Sequence, residues 1–508
     1  MKNNIFSKSI KYVAALALLA MLGLLPSTPT EAQTPISWQY YYSTAPVSEV
    51  IVRDHPINGE LMLAYRHDGL SFNGIWFLYH YSFPNVAIQF NIPDTISSNI
   101  TIRYHINDMA VSRRRGYFCG TRVTITLTQD DVTGETVETV DSVGILGYYD
   151  LYASGFNDPV KAHIKLMHET KSLKRMEYSS SDDYAMVAMI GVAKLPGSPS
   201  CLVVASNQVN PESWYYSVRY TNDDTETFTD IAINAKEVVV ASQCAGEANR
   251  KYFFLRMARK DDIVLYNDYL NLNYRHRFSP CDLFSPPRNI LQHPEGADIR
   301  LCAVPDDSYV HVAYTCGSND LNHPCATILC GVPTAGLIEM DNVQIVKESY
   351  DTMSSFVDMK YQDDGTETTV ALLYTDVNEE VGTMVLYPFA FNSAYGTPSI
   401  ALKQVLQDNR MQSMSIYNGN SVRLAGVWDL ASYNLTSLQQ TKPHIIDKSK
   451  CMDNGYTEVE LIMSSQVATN STKILHSYPN QQMVQLNWGD EKTYPTMTLG
   501  KQKVCERE

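Results

Sequence analysis

An acidic residue that opens a short apolar run recurs along the chain, and it is the side chain best placed to do chemistry. The pattern is an acid, an apolar residue, any residue and a second apolar residue. Six carboxylates start such runs: Glu49, Asp108, Asp183, Asp230, Asp298 and Asp358. If the runs are equivalent strands of a repeat, these carboxylates ring one mouth of a central channel.

A ring of like charges has three physical outcomes. It holds a cation such as calcium, raises some of its own pKa values, or is relieved by hydrogen bonds from backbone amides in the turns. We expect the third outcome, because aspartate before a strand commonly accepts local N–H groups and apolar residues follow the acid at every occurrence. No cofactor is therefore expected, and calcium is the metal that such a ring would favour.

Four cysteines and two histidines lie close together and have the composition of a metal site: Cys302, His311, Cys316, His323, Cys325 and Cys330. Their spacing fits no standard zinc finger, and an exported chain meets an environment that oxidises thiols. A disulfide between Cys316 and Cys325, which flank a polar loop, is the better interpretation. The ten cysteines permit five bridges, and we expect a second between Cys451 and Cys505.

Catalytic motifs fail on inspection. His168-Glu169 lacks the second histidine of a zinc protease, and neither a G-x-S-x-G serine elbow nor a phosphate-binding glycine loop occurs. The run from Ser71 to Trp76 is a poor match to the turn motif of sialidase-type propellers. No catalytic residue is assigned, although a carboxylate pair for glycoside hydrolysis is set by separation in three dimensions, which a sequence does not show.

Short apolar runs separated by turn residues dominate the chain and predict antiparallel hairpins. The starts of the acid-first runs, with a looser copy at Ser413, define seven units of about sixty residues with three or four strands each. This arithmetic predicts an all-β fold, a β-propeller of seven blades, rather than an array of β-sandwiches. Residues 159–176 are the exception, because apolar residues near helical spacing indicate a helical insertion there.

The predicted repeat domain covers residues 33–445, and residues 446–508 form a separate β segment. That segment is expected to complete the last blade, supply an eighth blade or form a small domain. Because propellers usually close by pairing strands from both chain ends, Trp38 to Ser43 is a candidate partner for this region.

One blade-like stretch resembles a known group. The runs Asp108 to Val111, Tyr117 to Gly120 and Gly144 to Tyr149 are similar to a blade of exported bacterial proteins with divergent β-propeller repeats. The group is loosely defined and mostly without assigned activity. The resemblance implies a propeller and export, and it transfers no active-site residue.

The first 32 residues have the features of a cleavable secretory signal. Lysines precede an apolar run that is too short to span a bilayer, and a small-residue site predicts cleavage between Ala32 and Gln33. We therefore expect a secreted or extracytoplasmic protein, in the periplasm or at the cell surface, with no transmembrane segment in the mature chain. A net charge of −15 disfavours a nucleic-acid partner.

These features favour an exported, non-catalytic binding or scaffold protein that recognises a protein or a glycan through loops on a propeller face. Aromatic residues are the candidate contacts: Tyr40, Tyr41, Tyr42, Trp214, Tyr215 and Tyr216. Two alternatives remain open. One is a glycan-cleaving propeller enzyme, and the other is a surface adhesin or fibre subunit.

The disulfide expectation is directly testable. Peptide mapping of the exported protein without reduction is expected to recover Cys316 linked to Cys325 and Cys451 linked to Cys505. The second bridge closes the longer loop and should stabilise the fold more, because it constrains the unfolded chain more. Recovery of these four thiols free, or paired otherwise, would contradict the assignment.

Overall fold

The computed structural model describes parts of residues 38–498. The continuous ranges are 95–129, 133–150, 160–180, 184–210, 213–221, 224–245 and 251–260. Elsewhere the described residues are those of the strands given below, together with Val304 and residues 486–488. Within this described part, no helix is both long and apolar enough to cross a membrane.

Strands in the first part of the chain, up to residue 278, are β1 Trp38–Tyr42, β2 Val47–Asp54, β3 Leu61–His67, β4 Phe72–Leu78, β5 Ala87–Pro93, β6 Thr95–Ile96, β7 Ile100–Val111, β8 Arg115–Gln129, β9 Thr136–Asp150, β10 Val160–Met167, β11 Thr170–Ser180, β12 Ala185–Ala193, β13 Ser200–Asn210, β14 Ser213–Tyr220, β15 Thr227–Ile233, β16 Glu237–Ala245, β17 Lys251–Arg259 and β18 Asn273–Phe278.

Strands in the second part are β19 Ile299–Ala303, β20 Tyr309–Cys316, β21 Cys325–Pro333, β22 Asp341–Ser349, β23 Ser354–Asp363, β24 Thr368–Asp376, β25 Val381–Pro388, β26 Ile400–Val405, β27 Met411–Tyr417, β28 Ser421–Gly426, β29 Asp429–Asn434, β30 His444–Asp447, β31 Met452–Asp453, β32 Ile462–Met463, β33 Val484–Gln485, β34 Lys492–Tyr494 and β35 Thr496–Thr498.

The described strands form seven sheets, and each is built on an antiparallel meander. We number them by chain order: sheet 1 (β2–β5), sheet 2 (β7–β10), sheet 3 (β11–β14), sheet 4 (β15–β18), sheet 5 (β19–β22), sheet 6 (β23–β26) and sheet 7 (β27–β29 with β1). The first strand of each meander contacts the first strand of the next sheet, and β27 contacts β2 in turn.

The closed order of first strands is the architecture of a β-propeller, with these strands around the centre and later strands farther out. The predicted all-β propeller class is confirmed. The blade number stays a prediction, although each of the seven sheets has the strand order of one blade.

Closure uses the N-terminal strand. β1 pairs antiparallel with β29, from Trp38 opposite Tyr433 to Tyr42 opposite Asp429, and so becomes the outer strand of sheet 7. Pairing of the two chain ends was expected, but the partner strand lies before residue 445 and not after it. The N-terminal strand β1 therefore closes the ring by completing the sheet that the last meander forms.

The C-terminal segment adds edge strands to several sheets and follows the rim of the propeller backwards. In chain order, β31 joins sheet 6, β32 joins sheet 5, β33 joins sheet 3, β34 joins sheet 2 and β35 joins sheet 1. The described strands of residues 446–508 thus lie at the outer edges of several sheets, and the division of the chain at residue 445 stays a prediction. They cover sheet edges whose backbone groups would otherwise lack partners.

The predicted helix at residues 159–176 is wrong. Those residues form β10 and the first half of β11, which begins sheet 3. Their apolar positions include Ala162, Met167, Leu173 and Met176, and all four are buried between sheets rather than on one face of a helix. The apolar positions of this run fit helical and strand spacing equally well, so spacing alone could not distinguish the two.

Sheet 3 is buried on both faces, and strand alternation divides its side chains. In the central strands β12 and β13, even-numbered residues such as Met186 and Leu202 pack towards sheet 4. Odd-numbered residues such as Val187 and Val203 pack towards sheet 2. Because neighbours cover both faces, the strands are continuously apolar, as sequences buried on both sides are.

Sheet 2 projects beyond its neighbours. β7 begins eight residues before Asp108, whereas β2 begins two before Glu49 and β11 begins five before Arg175, so the end of sheet 2 extends beyond them by roughly 10 to 20 Å. The extension comprises residues 95–106, 121–129 and 136–143 and is called the ribbon below. One of its faces carries five aliphatic side chains: Ile96, Val123, Ile125, Leu127 and Val140.

Candidate functional site

Six of the seven first strands carry a β-bulge at the same point, and the residue after each bulge is polar. These post-bulge residues are Glu49, Asp108, Arg175, Asp230, Asp358 and Ser413. In β19 the equivalent residue is Arg300, because Leu301 after it makes the same inter-sheet bond as its counterparts in β11 and β27. A bulge re-aims a side chain, and the three aspartates of this set reach the neighbouring sheet.

The three post-bulge aspartates bind the next sheet in the ring. In each case the Oδ2 atom accepts a hydrogen bond from a backbone N–H in the first strand of the following sheet. The bonds are Met176 N to Asp108 at 2.9 Å, Leu301 N to Asp230 at 2.8 Å and Met414 N to Asp358 at 3.0 Å. We call them inter-sheet latches, because each carboxylate holds two first strands together.

The same carboxylates also accept a local bond. The N–H of Met109 donates to Asp108 Oδ1 at 2.8 Å, and that of Met359 donates to Asp358 Oδ1 at 3.0 Å. Backbone amides therefore engage both oxygens of these side chains. The expectation that backbone amides relieve the acids holds for them, with the neighbouring sheet rather than a turn as the second donor.

The sequence-based ring of six acids stays a prediction, because three of its members are not open to description, and the bulges define a partly different set of residues. Asp183 itself lies outside the described residues, but it is followed by β12, a second strand, and the post-bulge residue of that sheet is Arg175. Asp298 and the side chain of Glu49 also lie outside the described residues. Where the sequence analysis placed Asp298, the register places Arg300, so acids and guanidinium groups alternate along this part of the ring.

This alternation removes the excess of negative charge on which the calcium expectation rested. Within the residues that the structure describes, no group of three or more histidine, cysteine or acidic side chains could hold a metal ion. Calcium binding stays an untested prediction.

Arg53 connects its own first strand to three others. It extends from β2, and its Nη2 lies 2.7 Å from Asp108 Oδ1 while its Nε donates to the carbonyl oxygen of Met109 at 3.0 Å. Its Nη1 reaches Ser413 Oγ at 3.4 Å and lies 3.9 Å from Asp358 Oδ2. Burial opposes the charged form, but Asp108 and Asp358 outweigh it and raise the pKa of Arg53. A guanidinium suits this position, because its planar fork donates in several directions at once.

The remaining aspartates differ in their electrostatics. Burial acts to raise the pKa of Asp358, but Lys360, whose Nζ lies 3.2 Å away, and Arg53 outweigh it, so this pKa is lowered. Burial dominates at Asp230, and its pKa is raised despite the charges of Arg300 and Arg175.

Glu177 is the one described carboxyl of this region with a pKa near neutrality. It lies in β11, two residues after Arg175, and is half-buried. Burial raises its pKa to about 7, with Lys360 and Arg53 opposing the rise and Asp108 and Asp230 adding to it. Chemically, such a group can give or take a proton at neutral pH.

Two of the six aromatic candidates of the sequence analysis are packing residues. Trp214 and Tyr216 are buried between sheets 2 and 3, where the Trp214 ring lies 5.7 Å from that of Tyr117. Trp488 of the C-terminal segment packs edge-on against Trp214 and against Tyr148. Tyr215 is half-buried, and the side chains of Tyr40, Tyr41 and Tyr42 lie outside the described residues. The aromatic cluster thus fastens the C-terminal segment to two sheets.

The cysteine expectations are only partly open to inspection. Cys119, Cys201 and Cys302 are free, which leaves seven of the ten cysteines (10 − 3) and excludes five bridges. Cys316 ends β20 and Cys325 begins β21, but their side chains lie outside the described residues, as do Cys451 and Cys505. Their two bridges stay predictions.

The described histidine of that group, His311, is fully buried. Burial lowers its pKa to about 3, so the imidazole is neutral at physiological pH. Its ring stacks on that of Tyr361 with centroids 6.0 Å apart. This ring contact joins sheet 5 to sheet 6 and indicates that His311 is a packing residue.

Sequence reasoning missed Arg53, Arg175, Glu177, Arg300 and Lys360. A search for an acid before an apolar run passes over Arg175-Met176-Glu177, which has the same polar–apolar order with a basic residue first. A search for any polar residue at that position would have found the true register of sheet 3.

The chain is only distantly similar to the known proteins that it matches. No protein-family model matches the sequence, and no curated protein matches it. YCF48 from Cyanidioschyzon merolae is 8% identical at a TM-score of 0.37, and the match covers 79% of this chain and 99% of that chain.

Two further solved structures show similar values. The hemagglutinin-neuraminidase of parainfluenza virus 5 is 12% identical at a TM-score of 0.35, covering 68% of this chain and 92% of that one. The GH32 beta-fructofuranosidase BmSUC1 from Bombyx mori is 8% identical at 0.28, covering 79% and 91%. At these values the fold assignment rests on the strand pairing described above.

Removing a latch should cost far more stability than removing an exposed ion pair. Asp108→Asn removes the charge that balances buried Arg53, and we expect a loss of about 3 kcal/mol in the free energy of unfolding. The matched control, Asp150→Asn, breaks the half-exposed pair with Arg115 and should cost less than about 1 kcal/mol. Urea unfolding at neutral pH measures both, and equal losses would contradict the latch.

Glu177 should make stability fall as pH rises. The folded state holds the Glu177 proton more tightly than the unfolded state, so this contribution is fully present below about pH 4.5 and is lost as pH rises through about 7. Glu177→Gln should abolish that fall and be more stable than the wild type at pH 8 by on the order of 2 kcal/mol. Asp150→Asn should keep the wild-type profile, and a Glu177→Gln profile parallel to wild type would refute the assignment.

Proposed function

We propose that the chain is an exported, non-catalytic binding protein whose binding surface is the ribbon of sheet 2. The observation that carries this proposal is the exposure of aliphatic side chains there. Ile96 is 64% exposed, Val140 58% and Leu127 40%, and they lie on one face with Val123 and Ile125. Contiguous exposed apolar side chains mark interaction sites.

The ribbon also has the rigidity that a binding surface needs. Two of its strands, β8 and β9, continue in regular register into the core of sheet 2, where Phe118 and Tyr149 are fully buried. Side chains on such strands are held in fixed positions, so binding orders few groups and costs less entropy. A projecting hairpin of this kind takes the place of the propeller-face loops expected from the sequence.

The centre of the propeller supports a non-catalytic role as well. The carboxylates that could serve as nucleophile or base, Asp108 and Asp358, each accept two backbone N–H bonds and face a cation. A change of charge or position during a reaction would break the latches between sheets. Their chemistry is used to hold the ring together.

A second candidate function is glycan cleavage, and one observation favours it. Glu177 has a pKa of about 7 and shares Lys360 as a neighbour with Asp358, whose pKa is lowered. A protonated and an ionised carboxyl in one site is the combination that glycoside hydrolases use. On this alternative, Glu177 would be the acid.

The binding-protein and enzyme proposals are separated by a screen against a glycan panel and a panel of extracytoplasmic proteins. The screen measures both binding and product release. We expect retention of a partner without any product. A Leu127→Asp, Val140→Asp double variant should lose at least about tenfold in affinity, because it buries charge in an apolar contact. Val484→Asp, at an exposed valine of β33 outside the ribbon, is the control and should bind as the wild type does. Product release that Glu177→Gln abolishes would overturn the proposal in favour of the enzyme.

A further inference from the structure

The ribbon has an open edge along the first half of β9. β10 pairs with β9 only from Gly144 to Tyr149, and within the part of the chain that the structure describes no other strand pairs with residues 136–143 on that side. An open edge presents backbone N–H and C=O groups that can pair with another chain. Eight residues of strand, at roughly 3.3 Å each, give about 26 Å of edge.

The protection of this edge against pairing is acidic only. Natural proteins block exposed edges with charged side chains, above all lysine, with proline or with a bulge. The sequence of residues 136–143 is TVETVDSV, which contains no lysine or proline and whose charged residues are Glu138 and Asp141, and its register with β8 is regular. Val137 and Val140 are 47% and 58% exposed on opposite faces, so a strand added here would find an apolar neighbour on each face.

The charge of the edge indicates what kind of strand would pair with it. Glu135, Glu138 and Asp141 lie at or along this edge, and all three are exposed. Asp141 already pairs with Lys194, whose Nζ lies 3.4 Å from its Oδ1, so Glu135 and Glu138 are the acids left for a partner. A second copy of the chain would bring the same three acids and a net charge of −15 to the contact, and like charges across a strand pair destabilise it. A basic segment would meet complementary charge instead.

We propose that residues 136–143 bind an extended, basic segment of a partner protein, which adds to sheet 2 as a further strand. Backbone hydrogen bonds along β9 supply affinity, and specificity comes from lysine or arginine near Glu138 and apolar side chains beside Val137 and Val140. This inference rests on the proposed function, since it names the partner chemistry of the ribbon.

The test uses the whole protein and a synthetic peptide that alternates lysine and valine. Hydrogen–deuterium exchange should slow at the amides of residues 136–143 when the peptide is present, and a glutamate–valine peptide should have no effect. Glu138→Lys should weaken binding of the lysine–valine peptide by about tenfold at low salt. Asp224→Lys, at an exposed turn of sheet 4, is the matched charge reversal and should leave binding unchanged.

Each outcome decides the proposal. Protection confined to residues 136–143 and sensitive to Glu138→Lys supports strand addition. Protection at other residues, or an equal loss of binding in both charge-reversal variants, would overturn the proposal. Protection that appears without peptide and grows with protein concentration would overturn it in favour of a second copy of the chain. The peptide could fail to protect residues 136–143 while the Leu127→Asp, Val140→Asp variant still binds a partner from the panels more weakly than the wild type. That result would refute strand addition and leave the proposed function standing.

Discussion

The structure depends on one repeated interaction, a hydrogen bond from the backbone of one first strand to a carboxylate placed by a β-bulge in the strand before it. Asp108, Asp230 and Asp358 make this bond to three different neighbouring sheets. The sheets of a propeller otherwise meet through apolar side chains, which attract without specifying a register. The latch adds direction, because a carboxylate at a bulge reaches only one amide of the next strand.

Burying these acids is costly, and the chain offsets the cost with cations in the same ring. Arg53 faces both Asp108 and Asp358, Lys360 faces Asp358, and Arg175 and Arg300 replace acids in sheets 3 and 5. These contacts commit Asp108 and Asp358 to holding the sheets together. The proposed recognition site lies elsewhere, on the ribbon.

The sequence predicted the fold class because regularly spaced strands and acid-first runs recur along the chain. The same pattern placed Asp108, Asp230 and Asp358 at their positions after the bulges. It failed at sheet 3, where Arg175 replaces the acid and the apolar residues from Ala162 to Met176 fit two periods equally well. The ribbon was missed because exposed and buried strands of valine and threonine look alike in sequence. Arg53 and Glu177 were missed because their neighbours come from distant parts of the chain.

Native-state hydrogen exchange at three amides, those of Met176, Leu301 and Met414, tests the central role of the latches most directly. If the latches close the ring, these amides exchange only through global unfolding, with the same free energy of opening as one another. Exchange through low-energy local opening, at rates like those of the exposed ribbon amides, would contradict the account.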